Sequence, residues 1–308
     1  MNALTHPASA YARDVATLGW WMIGVAAVVW LIVVAMVLRT LGAPGTGNER
    51  AATRGVAIAT AATVIILLAF MAYDFSVGRA YAQPHDPLQR GDALSVTVYA
   101  RQWWWEFVYD DTVPTRRLST ANELHVPAGV PVLLALKAPD VIHSAWMPEL
   151  GGKQDLTPGY VAALRFMADT PGVYKGVCAE FCGAQHANMR FLVIAQPRAE
   201  FERWRAHEAA PQPAVDSASR EGQKVFLSST CAACHTIGGT DARGTIGPIL
   251  THVGGRRTIA ANTLPNTAQN LARWIRDPQK IKPGTQMPAT DMPEAQLQSL
   301  VAYLRTLQ

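Results

Sequence analysis

Two long uncharged runs dominate the first quarter of the 308-residue chain: residues 15–38 carry no charge over 24 positions, and residues 55–73 carry none over 19. Each run is long enough to cross a hydrocarbon core as a helix, and longer than most core helices of soluble proteins. Between them lie Arg39, Arg50 and Arg54 against a single Glu49. That excess of positive charge predicts a cytoplasmic loop, with both chain ends on the other side. Trp20 and Trp21 suit the interfacial belt at one end of the first span. The "AYA" at 80–82 resembles a signal cleavage site. A signal's apolar core is short and N-terminal, however, and here a full-length span precedes it. The pattern therefore predicts a transmembrane hairpin over 1–73, with the exported part starting near Asp74.

From residue 93 to about 197 the pattern changes to strands. "LSVTVYARQWWWEFVY" alternates over part of its length and is rich in Val, Trp and Tyr; "VPAGVPVLLALKA" reads as a turn and a buried strand, and "MRFLVIAQ" as another strand. Pro and Gly recur at short intervals. Short strands between regular turns indicate a β-sandwich or barrel, placed here over 74–208. Residues 209–219, "AAPQPAVDSAS", are small, polar and Pro-containing, as in a linker. The remaining 220–308 has helical spacing. "SREGQKVF" leads into "CAACH", and "NTAQNLARWIRDP" stops near Pro278. "EAQLQSLVAYLRTL" sets Leu297, Leu300, Val301 and Leu304 on one face, with Pro293 near its start. This last part reads as a small all-α module. No internal repeat or low-complexity tract is found.

Charge adds one feature. The whole chain has a formal net charge of +4, but 74–208 carries −2 and 220–308 carries +5. Modules of opposite sign on one tether attract each other or steer a charged partner; plain solubility is the simpler reading. All four Cys fall in two close pairs, 178/182 and 231/234. Structural disulfides usually join distant segments, so close pairs suggest ligands or cofactor attachment.

The segment "VCAEFCGAQHANM" (177–189) holds Cys178, Cys182, His186 and Met189, and His143 lies upstream in "DVIHSAWMPEL". Soft sulfur donors with imidazole favour copper over magnesium or calcium. Two Cys four apart allow both sulfurs to bridge a pair of ions, each with one His and one weaker donor: Met189, or a backbone carbonyl between the thiolates. A mononuclear blue-copper site leaves the second Cys surplus. A zinc site has no use for Met. A disulfide or an inert buried pair is the remaining alternative. Cys231-x-x-Cys234-His235 is the attachment signature of c-type haem, its thiols forming thioethers and its His reaching the iron. A thioredoxin-like pair would expect a βαβ setting, which the pattern lacks. Candidates for the sixth iron ligand are Met287, Met292 and His252. The His residues at 6, 85, 125 and 207 show no ligand spacing and read as solvent-facing or structural.

"DVIHSAWMPELGGKQD" followed by "GVCAEFCGAQHANM" resembles subunit II of haem–copper cytochrome c oxidase, which carries a dinuclear copper A centre. The C-x-E-x-C-x3-H-x2-M pattern is highly specific. The resemblance implies a cupredoxin barrel whose copper A ligands are His143, Cys178, Glu180 through its backbone carbonyl, Cys182, His186 and Met189. None is missing, unlike in quinol-oxidase relatives that have lost the site. It also implies that the Glu180 carboxylate reaches a magnesium (Mg) site shared with subunit I, and that Trp103, first of the aromatics in "RQWWWEF", is where electrons arrive. Read as strand residues, Trp103 and Trp105 face one side and Trp104 the other, so a core role competes for Trp103. "GTIGPIL" and "GTQMPA" are similar to class I cytochrome c, which selects Met287 as the axial partner of His235.

Together these imply a two-helix transmembrane hairpin, an all-β cupredoxin-like domain and an all-α class I cytochrome c domain, as in a caa3-type oxidase with a cytochrome c fused to subunit II. The resemblance implies electron flow from cytochrome c or a bc1-type donor through haem c to copper A, then to haem a in subunit I. There oxygen is reduced to water with proton pumping, so this chain alone does no oxygen chemistry. Expected partners are subunit I, subunit III and membrane lipid, without nucleic acid. The expected place is a bacterial inner membrane, both C-terminal domains on the periplasmic face. Two other readings fit the ligands: the copper A subunit of a nitric oxide reductase, and a membrane-anchored copper carrier. A carrier has no need of covalent haem.

Overall fold

The structure is a computed structural model that describes residues 4–41, 48–82, 93–110, 118–210, 216–217 and 219–308. His85 and most of the expected linker (211–215 and 218) lie outside these residues. The two apolar runs become helices α1 (Ala10–Leu41) and α2 (Glu49–Ala82). Their outer side chains, such as Trp21, Trp30, Leu38, Ile58 and Met71, are more than half exposed. In water such surface is costly, so its exposure along 30- and 31-residue spans fits a lipid environment. The first turns of α1 are different. Ser9, Ala12 and Ala16 are buried, Arg13 pairs with Asp169, and the N–H of Ala8 donates to Glu149 O at 2.8 Å. The membrane hairpin is thereby fastened to the domain that follows. The second helix continues past its apolar run through Asp74 and Arg79.

Ten strands follow: β1 (Leu94–Arg101), β2 (Trp104–Tyr109), β3 (Leu118–Ala121), β4 (Glu123–Pro127), β5 (Val132–Lys137), β6 (His143–Trp146), β7 (Lys153–Leu156), β8 (Ala162–Phe166), β9 (Gly172–Cys178) and β10 (Arg190–Gln196). They form two five-stranded sheets, ordered β3-β2-β1-β5-β8 and β4-β10-β9-β6-β7. The β1–β5 and β10–β4 pairs are parallel and the others antiparallel, a cupredoxin-like arrangement. Alternation sends Val96, Val98, Trp105, Phe107, Leu134, Leu136, Phe191 and Val193 into one core. One expectation is corrected here. "RQWWWEF" is a hairpin, because the chain turns at Gln102–Trp103 and β2 begins at Trp104. Trp105 is wholly buried, whereas Trp103 lies on the turn and is partly exposed, so the two do not share a strand face.

Helix α3 (Arg198–Ala209) caps this domain, seating Phe201 in the core. Its Trp204 stacks on His125 with centroids 4.0 Å apart and planes 3° from parallel. The His125 ring donates from Nδ1 to Gln196 Oε1, and burial pushes its pKa down to about 4. The unfolded chain then binds more protons than the folded one between pH 6.5 and 4. This stabilisation is complete above the unfolded pKa and is lost as pH falls, by up to about 3 kcal/mol. We expect His125→Phe, which keeps the stack, to flatten the drop in thermal unfolding midpoint between pH 6.5 and 4.5. Parallel pH profiles for variant and parent would assign the acid sensitivity elsewhere.

The last domain is helical: α4 (Arg220–Ser228), α5 (Cys231–Cys234), α6 (Ala268–Arg276) and α7 (Glu294–Thr306). Thr267 caps α6 by accepting the Asn270 N–H, and Pro293 stands as the residue just outside α7. Leu297, Leu300, Val301 and Leu304 pack against Val225, Phe226, Leu271 and Ile275. The crossing of α4 and α7 is so close that a Cβ on Gly222 would lie 2.0 Å from Ser299 O. Only glycine fits there.

Candidate metal and haem centres

The β6–β9 pairing places Ala145 opposite Cys178, which brings His143 beside the loop that leaves β9. The Ala179 N–H donates to Ser144 O at 2.9 Å, and the Cys178 N–H to Met189 O at 3.0 Å. These bonds close the loop on itself. Inside it, Cys178 Sγ is 3.8 Å from Cys182 Sγ, 3.8 Å from His143 Nδ1 and 3.2 Å from Glu180 O. Cys182 Sγ is 3.7 Å from His186 Nδ1 and 3.8 Å from Met189 Sδ. All six sequence-predicted donors therefore meet in one place. Each sulfur has one imidazole and one weaker donor as neighbour. The sulfurs stand nearly twice a disulfide length apart, so the pair is not bonded.

Electrostatics show what the site requires. A hydrogen bond from Cys182, with others from His143 and the backbone, pulls the Cys178 thiol far below its ordinary pKa. The Cys178 sulfur, burial, and nearby negative charge push Cys182 up. Two sulfurs this close cannot both ionise unless a cation lies between them. The donor set of two sulfurs, two imidazoles, a thioether and a carbonyl suits copper ions. Thus the residues present fit copper A.

One supporting group escaped the sequence reading. His143 Nε2 donates to Asp140 Oδ1 at 2.9 Å, which leaves Nδ1 facing Cys178. Although burial disfavours charge on this ring, Asp140 and Cys178 together raise the His143 pKa. A carboxylate on the far nitrogen of a ligand His fixes its tautomer and orientation. The three-residue spacing in "DVIH" was the available signal. The Glu180 side chain is exposed.

The haem signature sits on α5 and the residue after it. His235 Nδ1 donates to Pro248 O at 2.7 Å, freeing Nε2, and burial lowers the ring's pKa so that it stays neutral. A Cβ on Gly247 would lie 2.5 Å from the His235 ring, so glycine is needed beside it. Cys231, Cys234, His235, Trp274 and Met287 line one apolar cavity. Of the three candidate sixth ligands, only Met287 lines it. His252 is buried elsewhere, its ring nitrogens 2.6 Å from Gln308 O and 3.1 Å from Glu208 O. Two thiols, a neutral imidazole and a thioether around an apolar slot fit haem c.

The far wall of that cavity belongs to the copper domain: Gln102, Trp103 and Trp104 line it. Trp103 Nε1 donates to Cys182 O at 2.9 Å, and Gln102 Nε2 donates to the same oxygen at 2.7 Å. Trp103 thus lines the haem cavity and also touches the copper loop through its N–H.

Fold and donor sets define a class: a membrane-anchored redox protein joining a cupredoxin-like metal domain to a c-type cytochrome. The family described as cytochrome C oxidase subunit II, periplasmic domain, matches residues 112–196, and that described as cytochrome c matches 219–308. Proteins named cytochrome c oxidase subunit 2 are similar in sequence. That of Alkalihalophilus pseudofirmus is 39% identical over 79% of this chain and 70% of its own length. Those of Bacillus sp. (strain PS3) and Bacillus subtilis are 35% and 30% identical, over 73% and 80% of this chain. This chain spans 65% and 71% of those two proteins. The chain belongs to the cytochrome c oxidase subunit 2 family, and its fused cytochrome c domain fits the caa3 type.

Proposed function

We propose that this chain is the electron-accepting subunit of a terminal respiratory oxidase, taking electrons from cytochrome c or a bc1-type donor and delivering them to haem a of subunit I for reduction of oxygen to water with proton pumping. When bound, haem c and copper A would supply two one-electron carriers. The chain's own residues hold them: Cys231, Cys234, His235 and Met287 for haem c; His143, Cys178, the Glu180 carbonyl, Cys182, His186 and Met189 for copper A. The carboxylate of Glu180, exposed beside the site, is assigned to magnesium at the subunit I interface. Both C-terminal domains face the periplasm, beside subunits I and III. Family membership favours this reading over a copper carrier.

The observation that carries it is the position of Trp103, hydrogen-bonded to the Cys182 carbonyl while lining the haem cavity. Trp103 is thereby in contact with both the copper loop and the haem cavity. Replacing Trp103 by Phe keeps a ring but removes the hydrogen bond. A net loss of this kind is worth up to about tenfold in rate. Flash reduction of the haem in the loaded full chain should show transfer to copper slowed several-fold to about tenfold, with both absorption spectra unchanged. Unaltered transfer would make Trp103 a packing residue; no transfer in the parent protein would refute the reading itself.

A further inference from the structure

The haem domain lies against the copper domain through a small set of specific contacts. Glu123, at the start of β4, is 3% exposed, and its Oε1 accepts the backbone N–H groups of Arg257 (2.8 Å) and Thr258 (3.1 Å). Lys282, 2% exposed, donates from Nζ to Trp103 O at 3.0 Å and to Ala260 O at 3.4 Å. Gln185 Nε2 donates to Pro283 O at 2.7 Å. The sign of charge agrees across the boundary. The copper domain contributes Glu123 and Glu208; the haem domain contributes Arg256, whose guanidinium is attracted by both.

We propose that Glu123 and Lys282 form a fixed clamp that holds the haem domain in one orientation on the Trp103 face, so that this face is closed to any external donor. The inference rests on the proposed electron path, since only then does the covered face matter. Three physical points support it. A carboxylate receiving two amide N–H groups makes charge-assisted bonds, about twice as strong as neutral ones. A lysine ammonium this deeply buried persists only when its donors are satisfied, and here one acceptor lies on the opposite domain. Lys280, two residues away, has an 85% exposed side chain, so the burial of Lys282 belongs to the contact and not to the whole segment. Tethering alone raises effective concentration without choosing an orientation. The clamp chooses one, and Glu123 and Lys282 act as positioning residues.

The test is hydrogen exchange in the holoprotein, read at the Arg257 and Thr258 amides, whose acceptor lies on the other domain. A domain docked all but a per cent of the time protects them about a hundredfold. We expect that protection in the parent. We expect Glu123→Gln to reduce it about tenfold. We expect a similar loss in Lys282→Met, although Lys282 touches neither amide, while amides of α7 and β10 and both absorption spectra stay unchanged. Exchange at the rate of exposed amides in the parent, or unchanged protection in Lys282→Met, would overturn the clamp. A loss confined to Glu123→Gln reports only a broken local acceptor and counts against it as well. Haem-to-copper transfer measured on the same samples separates the two readings. Transfer with unprotected amides sinks the clamp alone, and protected amides without transfer sink the electron path alone.

Discussion

Replacing Cys182 by Ser is expected to abolish the paired-copper signature of the copper-loaded protein and to leave the haem c spectrum intact. This sulfur has three donor neighbours, lying within 3.8 Å of Cys178 Sγ, His186 Nδ1 and Met189 Sδ. A serine hydroxyl is hard, stays protonated at neutral pH and cannot bridge soft ions. Volume hardly changes, so the 3% exposed position remains filled and the domain folds. Copper affinity should fall by more than the roughly 10- to 100-fold typical of losing an outer-shell partner. Metal content, near-infrared absorption and electron paramagnetic resonance check this, with oxygen uptake through the assembled complex falling to background. A variant that keeps the delocalised signal of two ions would remove Cys182 from the ligand set.

Replacing Met287 by Leu should remove the Met-to-iron absorption feature and lower the haem potential by on the order of a hundred millivolts or more. The loop that carries it is held from below. Gln279 Nε2 donates to Thr285 O at 2.7 Å and to Met287 O at 3.2 Å, and its Oε1 accepts the Gly284 N–H at 2.8 Å. The backbone therefore presents position 287 to the cavity whatever side chain it bears. Leu is close in volume, so the folding cost stays below about 1.5 kcal/mol, but it has no lone pair for iron. Met292, partly buried outside the cavity, supplies the control: Met292→Leu should leave potential and spectrum unchanged. The reverse outcome would move the ligand to Met292.

Much of the site was legible along the chain because it is local. Five of the six donors fall between Cys178 and Met189, and their spacing alone requires a tight loop. The haem signature occupies five consecutive residues, and α7 follows its apolar period residue by residue. The hairpin at Gln102–Trp103 was not legible. Three adjacent Trp look like strand residues, and only pairing with β1 shows where the turn falls. Nor was Asp140 assigned as the support of His143, since that role depends on which ring nitrogen the fold turns toward the sulfurs.

The sequence by itself determined the elements and the chemistry: two lipid-length apolar runs, an alternating strand region, a helical module, and two clusters of donors whose softness and spacing select copper and haem. Those properties reside in side chains close along the chain. Tertiary structure alone decided how the two centres face each other. The contacts that do so join Glu123 to the amides of residues 134 and 135 positions later, and Lys282 to a carbonyl 179 positions earlier. Their partners are backbone atoms, common to every residue type. No pattern of side chains can announce them until packing brings them within hydrogen-bond distance.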